Sequence, residues 1–258
     1  MAVSAVSELS VSIKAPVTTA SPEVAAFAAE SPEVTTSTWT WPSIPPPVPP
    51  LLQLPTELKS VPVEGLIFSM LILAYIYGDI MKIDTTGASE ATAKQDKLTI
   101  KGVEASKKLA EHDLARVEKY KSMITKVGKA KKMDPAVIAA IISRESRAGA
   151  VLKNGWEPKG IGFGLMQVDK GSHTPVGAWD SEQHVTQATE ILIGFIKEIK
   201  VNFPKWTQEQ CFKGGIAAYN KGVSRVTSYE NIDAKPTTGL DYSNDVVARA
   251  QWFRSKGY

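Results

Sequence analysis

Proline divides the chain into two parts with different folding prospects. Eleven of the 16 prolines lie before residue 65, and P-S-I-P-P-P-V-P-P occupies positions 42–50. Consecutive prolines favour an extended polyproline II conformation and cannot donate the backbone hydrogen bonds of a helix or sheet. We therefore expect residues 1–65 to form a disordered Pro/Ser/Thr-rich extension and the packed core to be built from the residues that follow.

A short apolar segment occupies 66–78 and includes the run L-I-F-S-M-L-I-L-A-Y-I-Y at 66–77. A bilayer-spanning helix needs about 20 apolar residues, so this run is too short for an ordinary span. It is also internal, and residues 1–20 contain no apolar core of the kind found in a signal peptide. Three interpretations remain: a membrane-associated segment, a cleaved leader exposed by a later start of translation, or an apolar element docked on the domain.

The remaining residues show the periodicity of helices. Helices are predicted over 104–129, 134–149, 182–202, 207–219 and 244–256, with T-Q-E-Q at 207–210 as a capping box. In the second of these, Asp134 suits the N-cap, Pro135 the first turn and Gly149 the end. The Gly-rich stretch 154–170 predicts tight turns with short strands. The predicted fold class is therefore mainly α, a helical bundle around a central helix with a small irregular or β insert.

One acid lies on the apolar face of the helix predicted over 134–149. Glu145 follows Ile138, Ile141 and Ile142 at helical spacing, so it shares their side of the helix. Burial of a carboxylate raises its pKa, and a carboxylic acid that is neutral near pH ~6–7 suits general acid catalysis. The alternative is a structural Glu paired with Arg144 or Arg147 at the rim of the helix.

Charge and ligand-forming residues limit the other function classes. The net charge is +3, but residues before Leu66 contribute −4, which leaves +7 for the rest. A basic body suits an anionic wall, membrane or nucleic acid, although solubility alone explains it equally well. Cys211 is the single cysteine, so an intramolecular disulfide and a CxxC metal or redox site are excluded. The three histidines share no HxxxH spacing, so neither a metal nor another cofactor is expected.

Five stretches of the chain resemble goose-type (g-type) lysozymes. They are I-I-S-R-E-S, N-G-W, G-F-G-L-M-Q-V-D-K, K-G-G-I-A-A-Y-N and N-D-V-V-A-R-A-Q. Each is short, but the ordered set is specific and covers about 77–258, and the start of this region is similar to fish members. The resemblance implies an α+β lysozyme-like catalytic domain over 79–258 that hydrolyses the β-1,4 bond between N-acetylmuramic acid and N-acetylglucosamine in peptidoglycan.

The resemblance also implies roles for individual residues. Glu145 matches the catalytic acid of the family, and Asp169 in Q-V-D-K matches an aspartate that positions or activates the attacking water. Four residues match the lining of the sugar groove: Gln167, His173, Tyr219 and Asn220. An antibacterial enzyme is implied, acting as a monomer on a polysaccharide, with no nucleic acid partner and with possible membrane contact through 66–77.

Two departures from the family pattern bear on mechanism and stability. Bird members read G-W-G-D after the acid-bearing helix, whereas this chain reads G-W-E-P, so Pro158 replaces a second candidate base and Glu157 is a possible substitute. Bird members also have two disulfides, whose positions correspond here to Ile76, Glu90, Lys101 and Met133. Glu90 and Lys101 are expected to form an exposed ion pair worth at most ~1 kcal/mol.

Two other activities fit the same motifs. A lytic transglycosylase uses one glutamate and needs no water-activating base. Replacement of the family aspartate by Pro158 would therefore not prevent this reaction. A sugar-binding or membrane-active protein without turnover is suggested by the basic body, the apolar segment at 66–77 and the altered base position at Pro158. An extracellular or phagocytic compartment is favoured by the implied activity, although no signal peptide is visible at Met1.

Overall fold

The structure, a computed structural model, describes residues 76–234 and 236–258. The predicted disordered extension and nearly all of the apolar segment at 66–77 lie outside the described residues. Within the described ranges there are seven α-helices and one two-stranded sheet, which confirms the predicted class. No helix in these ranges is long and apolar enough to cross a membrane.

The helices follow one another with one β insert between the fourth and the fifth. In chain order they are α1 (Glu90–Ala93), α2 (Val103–Glu118), α3 (Lys121–Lys131), α4 (Pro135–Ser146), α5 (Glu182–Asn202), α6 (Gln208–Lys221) and α7 (Tyr242–Ser255). The insert contains β1 (Gly162–Phe163) and β2 (Val168–Asp169), which pair antiparallel with Gly162 opposite Asp169. Short 3₁₀ turns occur at Ile80–Lys82, Lys94–Asp96, Val223–Arg225 and Thr238–Leu240.

Helix α4 lies at the centre of the bundle. Every residue of 136–146 is buried, and the helix packs most extensively on α7, with α2 and α3 on other sides. Asp134 caps it as predicted, because its side chain accepts a hydrogen bond from the N–H of Ala136 at 2.9 Å, and Pro135 occupies the first turn. The carboxyl end of α4 is therefore held inside the protein.

The end of α4 comes earlier than the predicted Gly149. Arg147 and Ala148 already have left-handed backbones, each with φ 53°. The side chain of Arg147 is fixed by Asp96 at 2.6 Å and by Asp113 at 3.2 Å, contacts that no local pattern reveals. These ion pairs hold a non-glycine residue in a conformation that usually favours glycine.

The prediction of one helix over 104–129 is wrong, because the chain breaks it into α2 and α3. At Tyr120 the backbone leaves the helical region, with φ −105° and ψ 2°. The apolar spacing continues across the break, since Val117 and Ile124 on its two sides are fully buried in the same core. Periodicity alone therefore could not locate the turn.

Helices α5 and α6 approach each other closely. A Cβ placed on Gly215 would lie 2.9 Å from the Cα of Ile196, so glycine is needed where the two backbones meet. The bounds of α5 match the prediction, and the capping box of α6 is formed between Thr207 and Gln210. Helix α7 begins at Tyr242, two residues before its predicted start.

The four positions that the family resemblance matches to disulfide cysteines are filled in different ways. Glu90 and Lys101 form the predicted ion pair, with 3.4 Å between Oε1 and Nζ, and both side chains are well exposed. Ile76 is exposed, whereas Met133 is buried in the main core. An exposed ion pair contributes at most about 1 kcal/mol, less than the ~2–4 kcal/mol typical of a disulfide.

Candidate active site

Glu145 is the next-to-last residue of α4 and is 8% exposed. Its Oε1 accepts a hydrogen bond from the hydroxyl of Tyr242, in the first turn of α7. Its Oε2 is buried and has no hydrogen-bond partner among the described residues. A buried acceptor without a hydrogen-bond partner costs about 1–3 kcal/mol, so the placement of this oxygen does not favour the stability of the fold.

The surroundings of Glu145 favour its neutral form. Burial raises the pKa of Glu145 to about 7, and the hydrogen bond from Tyr242 and the charge of Arg144 lower it without offsetting the effect of burial. A carboxyl group with this pKa carries a proton through most of the range below neutrality. It can therefore donate a proton to a leaving group, as a general acid must.

The arginines beside Glu145 do not pair with it. Arg144 donates to Asp241 at 3.0 Å and also binds Asp245, and the side chains of all three residues are almost completely buried. Arg147 is directed to carboxylates of the 3₁₀ turn Lys94–Asp96 and of α2. The structure therefore does not support the alternative in which Glu145 is half of an ion pair at the rim of the helix.

Asp169 ends β2 and is 3% exposed. Its Oδ1 accepts from the N–H of Gly171 at 2.8 Å, and its Oδ2 accepts from the hydroxyl of Ser172 at 3.2 Å. These contacts fix the orientation of the carboxylate on the insert.

Glu157 lies in the turn before β1 and is 6% exposed. Its two oxygens accept from the N–H groups of Lys159 and Ile161, each at 2.8 Å. Its own N–H donates to the carbonyl of Gly162 at 3.2 Å, directly across the sheet from Asp169. The side chain of Glu157 thus closes its own loop, and the two carboxylates belong to the same small insert.

Two of the residues expected in the sugar groove lie on the insert. Gln167 is 2% exposed, has φ 54°, and donates from Nε2 to the carbonyl of Gly164 at 2.8 Å. His173 follows β2, and its N–H donates to the carbonyl of Asp169 at 2.9 Å. The Nε2 of His173 is buried and lacks a hydrogen-bond partner within the described part of the chain.

The other two lie at the end of α6. Tyr219 is fully buried, and its hydroxyl donates to the carbonyl of Met166 at 2.8 Å. Asn220 holds Thr238 through two contacts: its Oδ1 accepts from the N–H of Thr238 at 3.0 Å, and its Nδ2 donates to the hydroxyl at 3.2 Å. Both side chains therefore fix neighbouring backbone segments.

The insert is tied to the end of α4 beside the acid. Ser146 donates from Oγ to the carbonyl of Leu165 at 2.8 Å, and Met166 is held by Tyr219. The negative charge of Glu145 also contributes to the raised pKa of Tyr219, which places the two side chains near each other. Glu145, Tyr219 and Tyr242 thus form one buried cluster, and the turn that leads to Asp169 packs against it.

Comparison with known proteins decides the family. The family model described as Lysozyme g matches residues 77–257. The chain is 94% identical over 186 residues to a lysozyme g of Cyprinus carpio, a match that covers 72% of this chain and 100% of that relative. Lysozyme G of Dromaius novaehollandiae and lysozyme g of Gallus gallus are 60% and 56% identical over 182 residues, or 70% of this chain and 89% and 86% of those relatives.

The chain belongs to the lysozyme g family. The resemblance inferred from its motifs is thereby confirmed, and the chain is a lysozyme, that is, a muramidase and glycoside hydrolase. Among the residues that the structure describes in this lysozyme, no group of three or more His, Cys, Asp or Glu side chains is arranged to hold a metal ion.

The sequence did not reveal the partner of the acid in this lysozyme. Tyr242 is fully buried and bonded to Glu145, yet the two residues are 97 positions apart. The helix predicted from periodicity begins at Asn244, so Tyr242 falls in a predicted loop. The sequence D-Y-S-N-D contains one local indication of a helix start at this residue. There a bulky aromatic residue stands directly before two residues that can cap a helix.

Proposed function

We propose that this lysozyme cleaves the β-1,4 bond between N-acetylmuramic acid and N-acetylglucosamine with Glu145 as the general acid. The observation that carries the proposal is the state of that side chain: one oxygen is bonded to Tyr242, the other is unpartnered among the described residues, and burial raises its pKa to about 7. The protonated oxygen would donate to the glycosidic oxygen as the bond breaks. Cleavage of peptidoglycan weakens the bacterial wall, so the role of the enzyme is antibacterial.

Asp169 is the proposed holder of the attacking water. It belongs to the strand that follows Met166 and Gln167, and Met166 is bonded to the same cluster as the acid. Glu157 is the weaker alternative, because both of its oxygens are engaged by the backbone of its own turn. Water-mediated attack with inversion needs the two carboxyl groups about 6.5–9.5 Å apart, with the water between them.

The proposed substrate groove is bounded by the insert and the end of α6. His173 is proposed to contact sugar, since its Nε2 has no partner in the described residues. Gln167, Tyr219 and Asn220 are proposed to shape the groove, because their polar groups hold backbone segments at 164, 166 and 238. We further propose that the enzyme acts as a monomer, while membrane contact through 66–77 stays a prediction about residues almost all outside the described ones.

Product analysis tests the reaction type. Purified peptidoglycan is digested, and the released muropeptides are examined by mass spectrometry and by NMR of the first-formed anomer. The proposal expects reducing N-acetylmuramic acid ends, initially in the α configuration, because inversion converts the β bond to an α product. Reducing ends formed first as the β anomer would contradict inversion, and muropeptides released without new reducing ends would contradict hydrolysis.

A lytic transglycosylase is the second candidate, favoured by Pro158 and by the backbone contacts that occupy Glu157. In that reaction the 6-hydroxyl of the muramic acid attacks instead of water, so no water-activating carboxylate is required. The same digestion separates the two reactions, since the transglycosylase would release 1,6-anhydro ends that are about 18 Da lighter per cleavage than hydrolysed ends.

A further inference from the structure

A buried ion cluster adjoins the catalytic acid. Arg144 directly precedes Glu145 on α4, and its guanidinium binds Asp241 at 3.0 Å and also Asp245. A third contact runs from Arg144 to the carbonyl of Thr238 at 3.0 Å. A buried arginine charge therefore lies one residue from an acid that must stay protonated.

Asp241 connects Arg144 with Ser89 and with the first turn of α7. One carboxylate oxygen accepts from Arg144 and the other accepts from the N–H of Ser89. Its backbone carbonyl accepts from the N–H of Asp245 at 2.7 Å, which begins the first turn of α7. The next residue is Tyr242, whose hydroxyl reaches Glu145.

We propose that Asp241 is a positioning residue of the catalytic acid: its carboxylate offsets the charge of Arg144 and fixes the start of α7, which carries Tyr242. The proposal rests on the assignment of Glu145 as general acid, and it adds a residue that never touches the sugar. Asp245 shares the charge of Arg144 but is also bound to Arg249 at 2.9 Å. Asp241 is the carboxylate of the pair that directly precedes Tyr242, and no ion pair joins it to a second arginine in the described residues.

The direction of the effect follows from the groups around Glu145. Besides burial, the groups that shift its pKa are Tyr242 from α7, through a hydrogen bond, and Arg144 from its own helix, through its charge. Tyr219 from α6 lies close enough to be affected by the charge of Glu145. The insert faces this end of α4 with the carbonyls that Ser146 and Tyr219 bind. Burial raises the pKa of both tyrosines, so they are neutral near pH 7.

Arg144 therefore supplies the formal charge among these groups in the described residues. If the charge of Asp241 is removed, Arg144 is less compensated and favours ionised Glu145, which lowers the pKa of the acid. At the effective dielectric of a protein interior, removal of one nearby charge shifts a pKa by about one pH unit.

The experiment compares Asp241→Asn with Asp233→Asn in the full chain. Asp233 is a matched control: it is also buried and supports the same helix start, accepting from the N–H groups of Ser243 and Asn244 at 2.9 Å each, but no contact joins it to Arg144 in the described structure. The titration of Glu145 is followed by ¹³C NMR of labelled Glu carboxyls, with Glu145→Gln to assign the signal. The pH dependence of wall lysis is measured in parallel.

Asp241→Asn is expected to lower the titration midpoint of Glu145 and the upper limb of the lysis profile by about one pH unit, while Asp233→Asn moves neither. An unchanged midpoint in folded Asp241→Asn, or an equal shift in Asp233→Asn, would overturn the proposal. A midpoint that moves without the lysis limb would confirm the charge compensation by Asp241 but refute Glu145 as the general acid, and with it the positioning role of Asp241 in catalysis. If Asp241→Asn does not fold, Asp245→Asn is expected to show the same downward shift, and its absence there would overturn the charge compensation.

Discussion

The hydroxyl of Tyr242 donates a hydrogen bond to one oxygen of Glu145, while the other oxygen of the acid has no partner among the described residues. The hydrogen bond and the burial of the carboxyl group shift the pKa of Glu145 in opposite directions. A donor at Oε1 stabilises the carboxylate, whereas burial of the whole group favours the carboxylic acid. Burial dominates, and the pKa of Glu145 is about 7.

Replacement of Tyr242 by Phe removes the donor and keeps the ring. We expect the upper pH limb of wall lysis to move to higher pH, because the carboxylate loses a hydrogen bond that lowers the pKa of Glu145. At the optimum, activity should fall by about 10-fold, since a hydrogen bond worth about 1–1.5 kcal/mol no longer orients the acid. The pH–rate profile of turbidity loss measures both effects.

Tyr219→Phe is the control for that variant. Tyr219 is also fully buried near Glu145, but its hydroxyl donates to the carbonyl of Met166. Its loss should loosen the insert and lower activity without moving the upper limb. A shift of equal size in both variants would show that the Tyr242 hydrogen bond has no special effect on the acid.

The raised pKa of Glu145 implies a cost in stability. Because the folded protein holds this proton up to about pH 7 and the unfolded chain loses it near 4.5, folding is progressively disfavoured as pH rises through this range. The substitution Glu145→Gln should therefore change the unfolding free energy more favourably at about pH 8 than at about pH 4, by up to about 3 kcal/mol. Urea unfolding of both proteins at the two pH values tests this, and an equal difference at both would contradict it.

His184 is expected to cause the opposite dependence at low pH. Its Nε2 accepts from the N–H of Met166 at 3.1 Å, and burial lowers its pKa to about 4. Since the unfolded chain binds this proton from about pH 6.5 downward, stability falls as pH drops from about 6.5 to 4. His184→Gln should reduce this loss of unfolding free energy by about 2–3 kcal/mol, as measured by thermal unfolding across that pH range.

Matched amide variants distinguish the roles of the two carboxylates of the insert, Asp169 and Glu157. Asp169→Asn should reduce kcat by at least about 100-fold with little change in KM, because the water loses its proton acceptor. Glu157→Gln should reduce kcat by less than about 10-fold while lowering stability by about 1–2 kcal/mol, since one backbone N–H of its turn loses an acceptor. The reverse order of kcat losses would assign the water to Glu157.

Much of the architecture could be predicted because it depends on local chemistry. The cap of α4, the bounds of α5 and the capping box of α6 follow from residues within four positions of each other. The burial of Glu145 is likewise local in origin, because it follows from the place of this residue on the apolar face of a helix. By contrast, the break at Tyr120 interrupts no apolar period, and Arg147 ends α4 through contacts with distant aspartates.

The rest of the site depends on contacts between distant parts of the chain. The bond from Tyr242 to Glu145 and that from Arg144 to Asp241 each join residues 97 positions apart. Spacing in the sequence cannot show such pairs, because they exist only once α4 and α7 pack together. The motifs predict Glu145 as the catalytic acid, whereas the groups that set its pKa come together only through the packing of the helices.

The role of Glu145 is tested most directly by the rate at which new reducing ends appear in purified peptidoglycan treated with Glu145→Gln. The amide keeps the shape of the side chain but has no carboxyl proton to donate, so we expect the rate to fall by at least about 10³-fold. Near-UV circular dichroism and binding of chito-oligosaccharides should match the parent enzyme, which would show that the fold and the groove are intact. Release of reducing ends by Glu145→Gln at the rate of the parent enzyme would contradict the assignment of Glu145 as the general acid.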